Sequence, residues 1–301
     1  MDTLSDILEL LSAKSYITSG MCTPVPWGAA YDGFDGLKFF TVQKGKVWLK
    51  TQLDESWRLL HTGDSVILTR FQPFCVATSP DTECPDAKTL NPIFMEGMAN
   101  YGGDELIVIA GKMEIDYMSA GLLTGTLPPV MYLSPLPGNT SQMGFLMDYL
   151  RHEKLAPRPG SDVVTNHLMH LLMVEVLRDW FSDPSHPAQG WMGAFRDPRL
   201  MRALNLMHAT PDKSWQISEL ANLVGMSRAG FIRRFSLLIG TTPMRYLTDW
   251  RMRLACKALR ETRFPIKQIA LDLGYGSESA FSTAFRRFHG DSASAFRKKV
   301  T

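Results

Sequence analysis

Hydrophobic positions along this chain change period twice. Near the start, Leu4, Ile7, Leu8 and Leu11 fall on one helical face, which predicts a short amphipathic helix over residues 3–12. From about residue 37 to 135 the period shortens. Phe39-Phe40-Thr41-Val42, Val47-Trp48-Leu49, Ser65-Val66-Ile67-Leu68, Leu106-Ile107-Val108-Ile109 and Val130-Met131-Tyr132-Leu133 are short runs rich in aromatic and β-branched side chains. Gly45, Gly63-Asp64, Pro73 and Gly102-Gly103 punctuate them, which predicts many short strands in a small antiparallel barrel or sandwich. Beyond Pro137-Gly138 helical spacing returns. A helix predicted over 161–181 is apolar almost all round between Leu168 and Leu177, so it must be covered on more than one side. A barrel wall suits one stripe and a second copy of the chain the other. Ser182 to Gly190, with Pro184, Pro187 and Gly190, has linker composition, and helices continue from about Pro198.

The last hundred residues carry one helix-pair pattern twice. Ser227, Phe231, Phe235, Gly240, Thr242 and Tyr246 are matched fifty positions later by Ser277, Phe281, Phe285, Gly290, Ser292 and Phe296. Each copy begins with an apolar segment that breaks at a glycine, Leu220-Ala221 with Val224-Gly225 and Ile269-Ala270 with Leu273-Gly274. A helix, a tight turn containing Gly and a second helix capped by Ser make a helix-turn-helix, whose second helix enters the DNA major groove.

The first such recognition helix is predicted over 228–238, with Ser227 as N-cap. Phe231 and Phe235 bury one stripe, while Arg228, Ala229, Ile232 and Arg233 face the groove and Arg234 joins them as a DNA-binding candidate. Arg forks read bases, and small apolar groups contact thymine methyls. Gly230 is unfavourable in a helix by about 1 kcal/mol against Ala, which predicts a close backbone approach. The second recognition helix is predicted over 278–288, with Ser277 as N-cap. Its candidates are Glu278, Ser279, Ala280, Ser282 and Thr283, all short or acidic, so weaker base discrimination is expected there. Arg286 and Arg287 are expected on phosphates, which position a protein without specifying sequence. Between the units, Pro243 suits a first helical turn, and Tyr246, Leu247, Trp250, Leu254, Ala258 and Leu259 form an apolar stripe ending before Pro265. About 18 residues at about 1.5 Å each give roughly 27 Å, close to the ~34 Å between successive major-groove faces. This helix is predicted to be a spacer.

Composition sharpens the division. At 301 residues, with 45% hydrophobic and 21% charged positions, the chain suits two domains. The net charge of +2 hides a split, since residues 196–301 hold 19 Lys/Arg against 8 Asp/Glu and residues 1–195 hold 13 against 22. A basic tail on an acidic front is the footprint of a nucleic-acid-binding module joined to a different kind of domain. Cys22, Cys75, Cys84 and Cys256 lack metal-ligand spacing, and Met-Asp-Thr-Leu lacks the basic start of a signal peptide. A cytoplasmic protein with reduced thiols is expected. No apolar run approaches the roughly 18 residues that span a bilayer, so no membrane role is expected.

The tail resembles the AraC/XylS family of bacterial transcription regulators over about residues 195–299. Ile266, Ala270, Gly274-Tyr275, Ser277, Phe281, Ala284-Phe285-Arg286-Arg287 and Gly290 carry the likeness. The chain departs from that pattern at Ala293, where Pro is usual, and at His289, where an aromatic is usual. The front is similar to the cupin-type sensor domain of a large subgroup of the family. Pro26-Trp27, Trp48, Leu60 with Gly63-Asp64, Leu127-Pro128, Pro159-Gly160, Leu177-Arg178 with Trp180, and Gly190-Trp191 with Asp197-Pro198 carry that likeness. Together they imply an α+β chain with a cupin-like antiparallel β-barrel over 1–140 and a helical dimerisation region and linker over 141–190. An all-α domain of two helix-turn-helix units joined by a long helix follows over 191–301. The implied partners are double-stranded DNA, RNA polymerase recruited by an activator, an unknown small-molecule effector, and a second copy through helix 161–181.

Metal-binding cupins carry a histidine cluster with a Glu, whereas the strand-rich segment offers only His61. Neither a metal, a cofactor nor a catalytic residue is expected. Trp27, Phe39 and Trp48 are candidates for an aromatic effector pocket or for ordinary core. Cys22 is a ligand candidate or a thiol switch, although a low-pKa thiol needs a cationic neighbour or a helix N-terminus. Three functions stay open: a regulator responding to an effector or to oxidation, a cupin enzyme with an appended DNA-binding domain, and a DNA binder whose barrel is only a dimerisation scaffold.

Overall fold

A computed structural model describes residues 2–10, 14–34, 36–54, 56–95, 98–114, 127–134, 142–156, 158–182 and 190–300. They group into two units.

The first unit is rich in sheet. Its strands are β1 (Lys14–Thr23), β2 (Gly28–Tyr31), β3 (Leu37–Lys44), β4 (Lys46–Thr51), β5 (Arg58–His61), β6 (Ser65–Leu68), β7 (Phe74–Ala77), β8 (Ile93–Met95), β9 (Met98–Asn100), β10 (Leu106–Glu114) and β11 (Val130–Leu133). They form one sheet in the order β11-β6-β3-β10-β1-β9-β8 and another in the order β2-β7-β4-β5. Period-two alternation aims Phe40 and Val42, Val47 and Leu49, Val66 and Leu68, Phe74 and Val76, and Leu106 and Val108 into one core shared by both sheets. The five predicted runs are all strands. Hydrogen bonding does not close them into the expected antiparallel barrel. Among the described residues the two sheets share no ladder, and β1 pairs with β9 in parallel.

Turn glycines set the hairpin geometry. Gly45 joins β3 to β4 at φ +87°, and a Cβ there would stand 2.5 Å from the Glu105 carbonyl oxygen, so both conformation and space demand glycine.

Two helices complete this unit, α2 (Gln142–Leu155) and α3 (Ser161–Ser182). α3 packs on both α2 and β1 and buries Leu168, Met169, Leu172, Met173, Val176, Leu177 and Trp180. One protomer therefore covers two stripes of the nearly all-apolar helix. Val163, His167 and Leu171, spaced by four, stay exposed.

The second unit is helical. It comprises α1 (Thr3–Leu10), a 3-10 segment (Gly190–Arg196), α4 (Pro198–Ala209), α5 (Ile217–Leu223), α6 (Arg228–Ile239), α7 (Pro243–Glu261), α8 (Ile266–Asp272), α9 (Glu278–His289) and α10 (Ala293–Val300). The N-terminal helix packs on α4 and α7 with Leu4, Ile7 and Leu10 buried. Thr3 donates to Asn205 Oδ1 through its backbone N–H at 2.9 Å and its hydroxyl at 2.6 Å. Spacing alone located this helix but not its host. Residues 183–189 of the predicted linker and Pro137-Gly138 lie outside the described residues. Among the described residues no helix is long and apolar enough to cross a membrane.

Candidate nucleic-acid interface

Each helix-turn-helix is built by the same backbone chemistry. α5 ends with Gly225 at φ +67°, the Gly225 N–H bonding the Asn222 carbonyl and the Met226 N–H the Ala221 carbonyl at 2.9 Å. α8 repeats this with Gly274 at φ +77°, bonding Leu271, and Tyr275 bonding Ala270 at 2.9 Å. Paired bonds of this kind satisfy the last carbonyls of a helix and turn the chain sharply. The second turn is one residue longer, with Tyr275-Gly276 where the first has Met226.

Both predicted N-caps form. Ser227 Oγ accepts from the Gly230 N–H at 3.2 Å and Ser277 Oγ from the Ala280 N–H at 3.1 Å. A Cβ on Gly230 would meet only that Ser227 hydroxyl, at 2.9 Å. The close neighbour is thus the capping side chain rather than the backbone contact expected, and Ala280 shows that the same site accepts a methyl.

Phe231, Phe235, Phe281 and Phe285 are fully buried, as the spacing requires. On the opposite face of α6, Arg228, Ala229 and Arg233 are exposed and Ile232 is half-buried. Arg234 is different, since its guanidinium bonds the buried Asp197 carboxylate at 3.0 Å. Asp197 also caps α4 through the Arg199 N–H, and burial raises its carboxyl while Arg234 and Arg199 pull it down, with a net lowering. Arg234 therefore braces α6 to the start of α4. On α9, Glu278, Ser279, Ala280, Thr283, Arg286 and Arg287 are exposed and Ser282 is half-buried.

α7 serves both units with different faces. Tyr246, Leu247 and Trp250 are buried in its first half, and Met252, Ala255, Cys256 and Leu259 in its second, the latter group in the core with Phe281, Phe285 and Phe296. Leu254 and Ala258, predicted in the stripe, are only partly buried because the buried face rotates along the helix. A second tie joins the units. Arg251 donates to the Pro211 carbonyl and, at 2.9 Å, to the Lys213 carbonyl, and its guanidinium lies 5.8 Å from the Tyr275 ring centroid.

Beside the first unit, His208 is buried, stacked 3.7 Å from the Trp250 ring. Its Nε2 lies 2.9 Å from the Tyr246 hydroxyl and its Nδ1 3.3 Å from Asp6 Oδ2. Burial pushes its pKa down to about 3. The imidazole is neutral, so the Asp6 contact is a hydrogen bond donated by Nδ1, with Nε2 accepting from Tyr246.

The sheet-rich unit holds a cavity of about 160 Å³ between its sheets. Tyr31, Lys38, Phe40, Phe74, Val76, Phe94, Tyr101 and Val108 are among its lining residues. Cys22, Trp27, Phe39 and Trp48 are not. Trp27 is core, its ring 5.1 Å from that of Tyr101. Phe39 is buried on the opposite face of β3 from Phe40, and Trp48 is half-buried on the outer face of β4. Cys22 is half-buried, and burial together with Asp104 raises its thiol pKa against the pull of Lys44. His61 is exposed in the turn closed by Asp64. Among the described residues no three His, Cys, Asp or Glu side chains converge as a metal site requires.

Comparison with known proteins follows this division. A cupin family model matches residues 2–182 and a helix-turn-helix domain model residues 220–299. A putative AraC-like transcription regulator of Streptomyces lividans is 32% identical over 304 residues, spanning 100% of this chain and 99% of its own. The RCS-specific HTH-type transcriptional activator RclR of Escherichia coli is 22% identical over 89% of this chain and 98% of its own. Among solved structures, the DNA-binding domain of AdpA in complex with a target DNA is 28% identical over 34% of this chain and 91% of that one, with a TM-score of 0.33.

Proposed function

The chain belongs to the AraC-like transcription regulators and binds DNA through its double helix-turn-helix, and from that premise we propose that it is an effector-responsive activator. The observation that carries this reading is the pairing of two capped recognition helices with an apolar-lined cavity in a separate unit. α6 reads bases through Arg228, Ala229, Ile232 and Arg233, and Arg234 holds it in place. α9 contributes Glu278, Ser279, Ala280, Ser282 and Thr283 to the groove, and its Arg286 and Arg287 grip phosphates. A small molecule in the sheet-rich unit shifts the regulator between two arrangements, by no more than its differential affinity for them. The relative named an activator favours recruitment of RNA polymerase over repression.

The exposed Val163, His167 and Leu171 stripe of α3 is the proposed face for a homodimer, on which a long half-buried helix would complete its cover. No catalytic residue is assigned, and the protein is placed in the cytoplasm, where DNA is. A thiol switch at Cys22 is not favoured, since a reactive thiol needs a lowered pKa and burial raises this one.

Operator affinity measured against salt tests the core of the reading. Six phosphate contacts give a log–log slope of about −5. A flat response would remove DNA binding as the main activity.

A further inference from the structure

The loop between α4 and α5 is held to the first reading unit by its own side chains. Trp215 is buried and its indole N–H donates to the Thr210 carbonyl at 3.2 Å, while Lys213 lies over the Trp215 ring and pairs with Glu219 of α5 at 2.6 Å. The middle of this loop reaches the turn of the second unit. Asp212 is exposed, yet its carbonyl oxygen approaches Gly274 so closely that a Cβ there would stand 2.0 Å away. Arg251, half-buried midway along α7, closes the contact. Its guanidinium donates to the Pro211 and Lys213 carbonyls and lies beside Tyr275, whose ring packs edge-on against Phe281, near the start of α9, at 5.6 Å. A connection through α7 alone would leave the two units free to twist and tilt about one axis. The second attachment lies off that axis and removes this freedom, and a planar guanidinium gives up little entropy for each bond it makes.

We propose that the α4–α5 loop and Arg251 lock the two recognition helices into one rigid reader, so that the protein discriminates the spacing between two operator elements, with Arg251 as the positioning residue. One inserted base pair displaces the outer element by about 3.4 Å and about a tenth of a turn. A rigid reader cannot follow, and one head loses its base contacts. A reader joined only through α7 re-aims and keeps them. The inference rests on both α6 and α9 entering the groove, as proposed above, and adds what fixes the distance between them.

Duplexes selected by the full chain from a random library supply the probe, each also made with one base pair added or removed between the two protected elements. The wild-type chain should bind the altered duplexes at least about fivefold more weakly, as for the loss of one base contact. Arg251→Ala should bring that ratio below about twofold, less than one mismatched base pair costs, and Arg251→Lys, which keeps the charge, should restore part of it. A purely structural role would weaken binding to every duplex alike, so an unchanged ratio in folded Arg251→Ala overturns the proposal. Tyr275→Leu, which removes the ring between the guanidinium and α9, should lower the ratio as well, so a folding defect in the first variant leaves the test intact. Two protected elements with wild-type affinity indifferent to their spacing overturn the rigid reader and leave double reading standing. Selection of a single element removes double reading, and the proposal with it.

Discussion

The two helix-turn-helix units share a backbone plan and differ in what surrounds it. The first is packed on several sides, with α4 and the 190–196 segment adding to α7, and a Cβ on Gly193 would stand 2.3 Å from the Leu238 carbonyl oxygen. The second is packed on α7 and α10. The first exposes Arg228 in its opening turn and Arg233 at its middle, whereas the second keeps its exposed arginines, Arg286 and Arg287, at the last turn. A well-supported helix with long forks is built to discriminate bases, and a helix with short side chains and terminal cations is built to hold the backbone. On the proposed reading, the two heads therefore divide the work, the first discriminating bases and the second holding the backbone.

The largest expected effect concerns the two turn glycines. A methyl added at Gly225 would have nothing within 4 Å, whereas the same methyl on Gly274 would lie 2.0 Å from the Asp212 carbonyl oxygen. Gly225→Ala carries only the left-handed penalty of about 1–2 kcal/mol. Gly274→Ala adds overpacking against backbone, about 1–3 kcal/mol more. Thermal unfolding of the two variants should rank them in that order, and footprints of Gly274→Ala should lose the outer half first. Equal destabilisation would mean that the loop at Asp212 is not a seat for the second unit.

Next is Arg233→Ala, expected to cost about 1–3 kcal/mol on the specific site and to relax preference at the base it reads. Competition binding with single base-pair changes in the operator checks it. A loss uniform over sequences would make α6 an anchor like α9 and erase the contrast between the units.

Much of this contrast is visible in the sequence, because caps, turn glycines and the Phe pairs act over a few residues. Ser227, Ser277, Gly225 and Gly274 sit where local chemistry alone places them. What escapes is set by partners distant in the chain. The Asp197–Arg234 pair, the Arg251 tie to the 211–213 loop and the docking of α1 on α4 involve separations that periodicity does not encode. In the front half, β3, β4, β6, β10 and β11 show in their aromatic and β-branched runs, but β1 is a polar mixture with Gly20, β5 has no β-branched residue, and β8 and β9 are too short to alternate. Lys38 was the available signal for the cavity, a charge on the face shared with Phe40 and Val42. Aromatic residues alone pointed to Trp27 and Trp48, which pack as core and outer face.

The surroundings of the first unit also predict an acid response. His208 is held neutral at a pKa of about 3, below its unfolded value of about 6.5. Between those values the unfolded chain binds the extra proton, so the contribution is fully present above pH 6.5 and is lost as pH falls toward 3. The loss is at most about 1.4 kcal/mol per pH unit. Asp6, raised by burial, opposes it only at the acid end. Melting between pH 7.5 and 5.5 should show the decline, and His208→Gln should flatten it. Hydrogen exchange at pH 5.5 should quicken in α4 before α8 and α9, and a simultaneous response would show that the two units open as one.

The smallest effect belongs to the second unit. Arg286→Ala or Arg287→Ala should each weaken binding by under about 1 kcal/mol at physiological salt and lower the magnitude of the salt slope by about one, equally on specific and random duplexes. Because phosphate contacts are sequence-independent, the ratio of specific to non-specific affinity should hold constant in these variants while it falls in Arg233→Ala. That ratio is the sharpest measure of the division of labour. If it falls as far for Arg287→Ala as for Arg233→Ala, the last turn of α9 reaches base edges, and short side chains on its groove face no longer imply a weak reader.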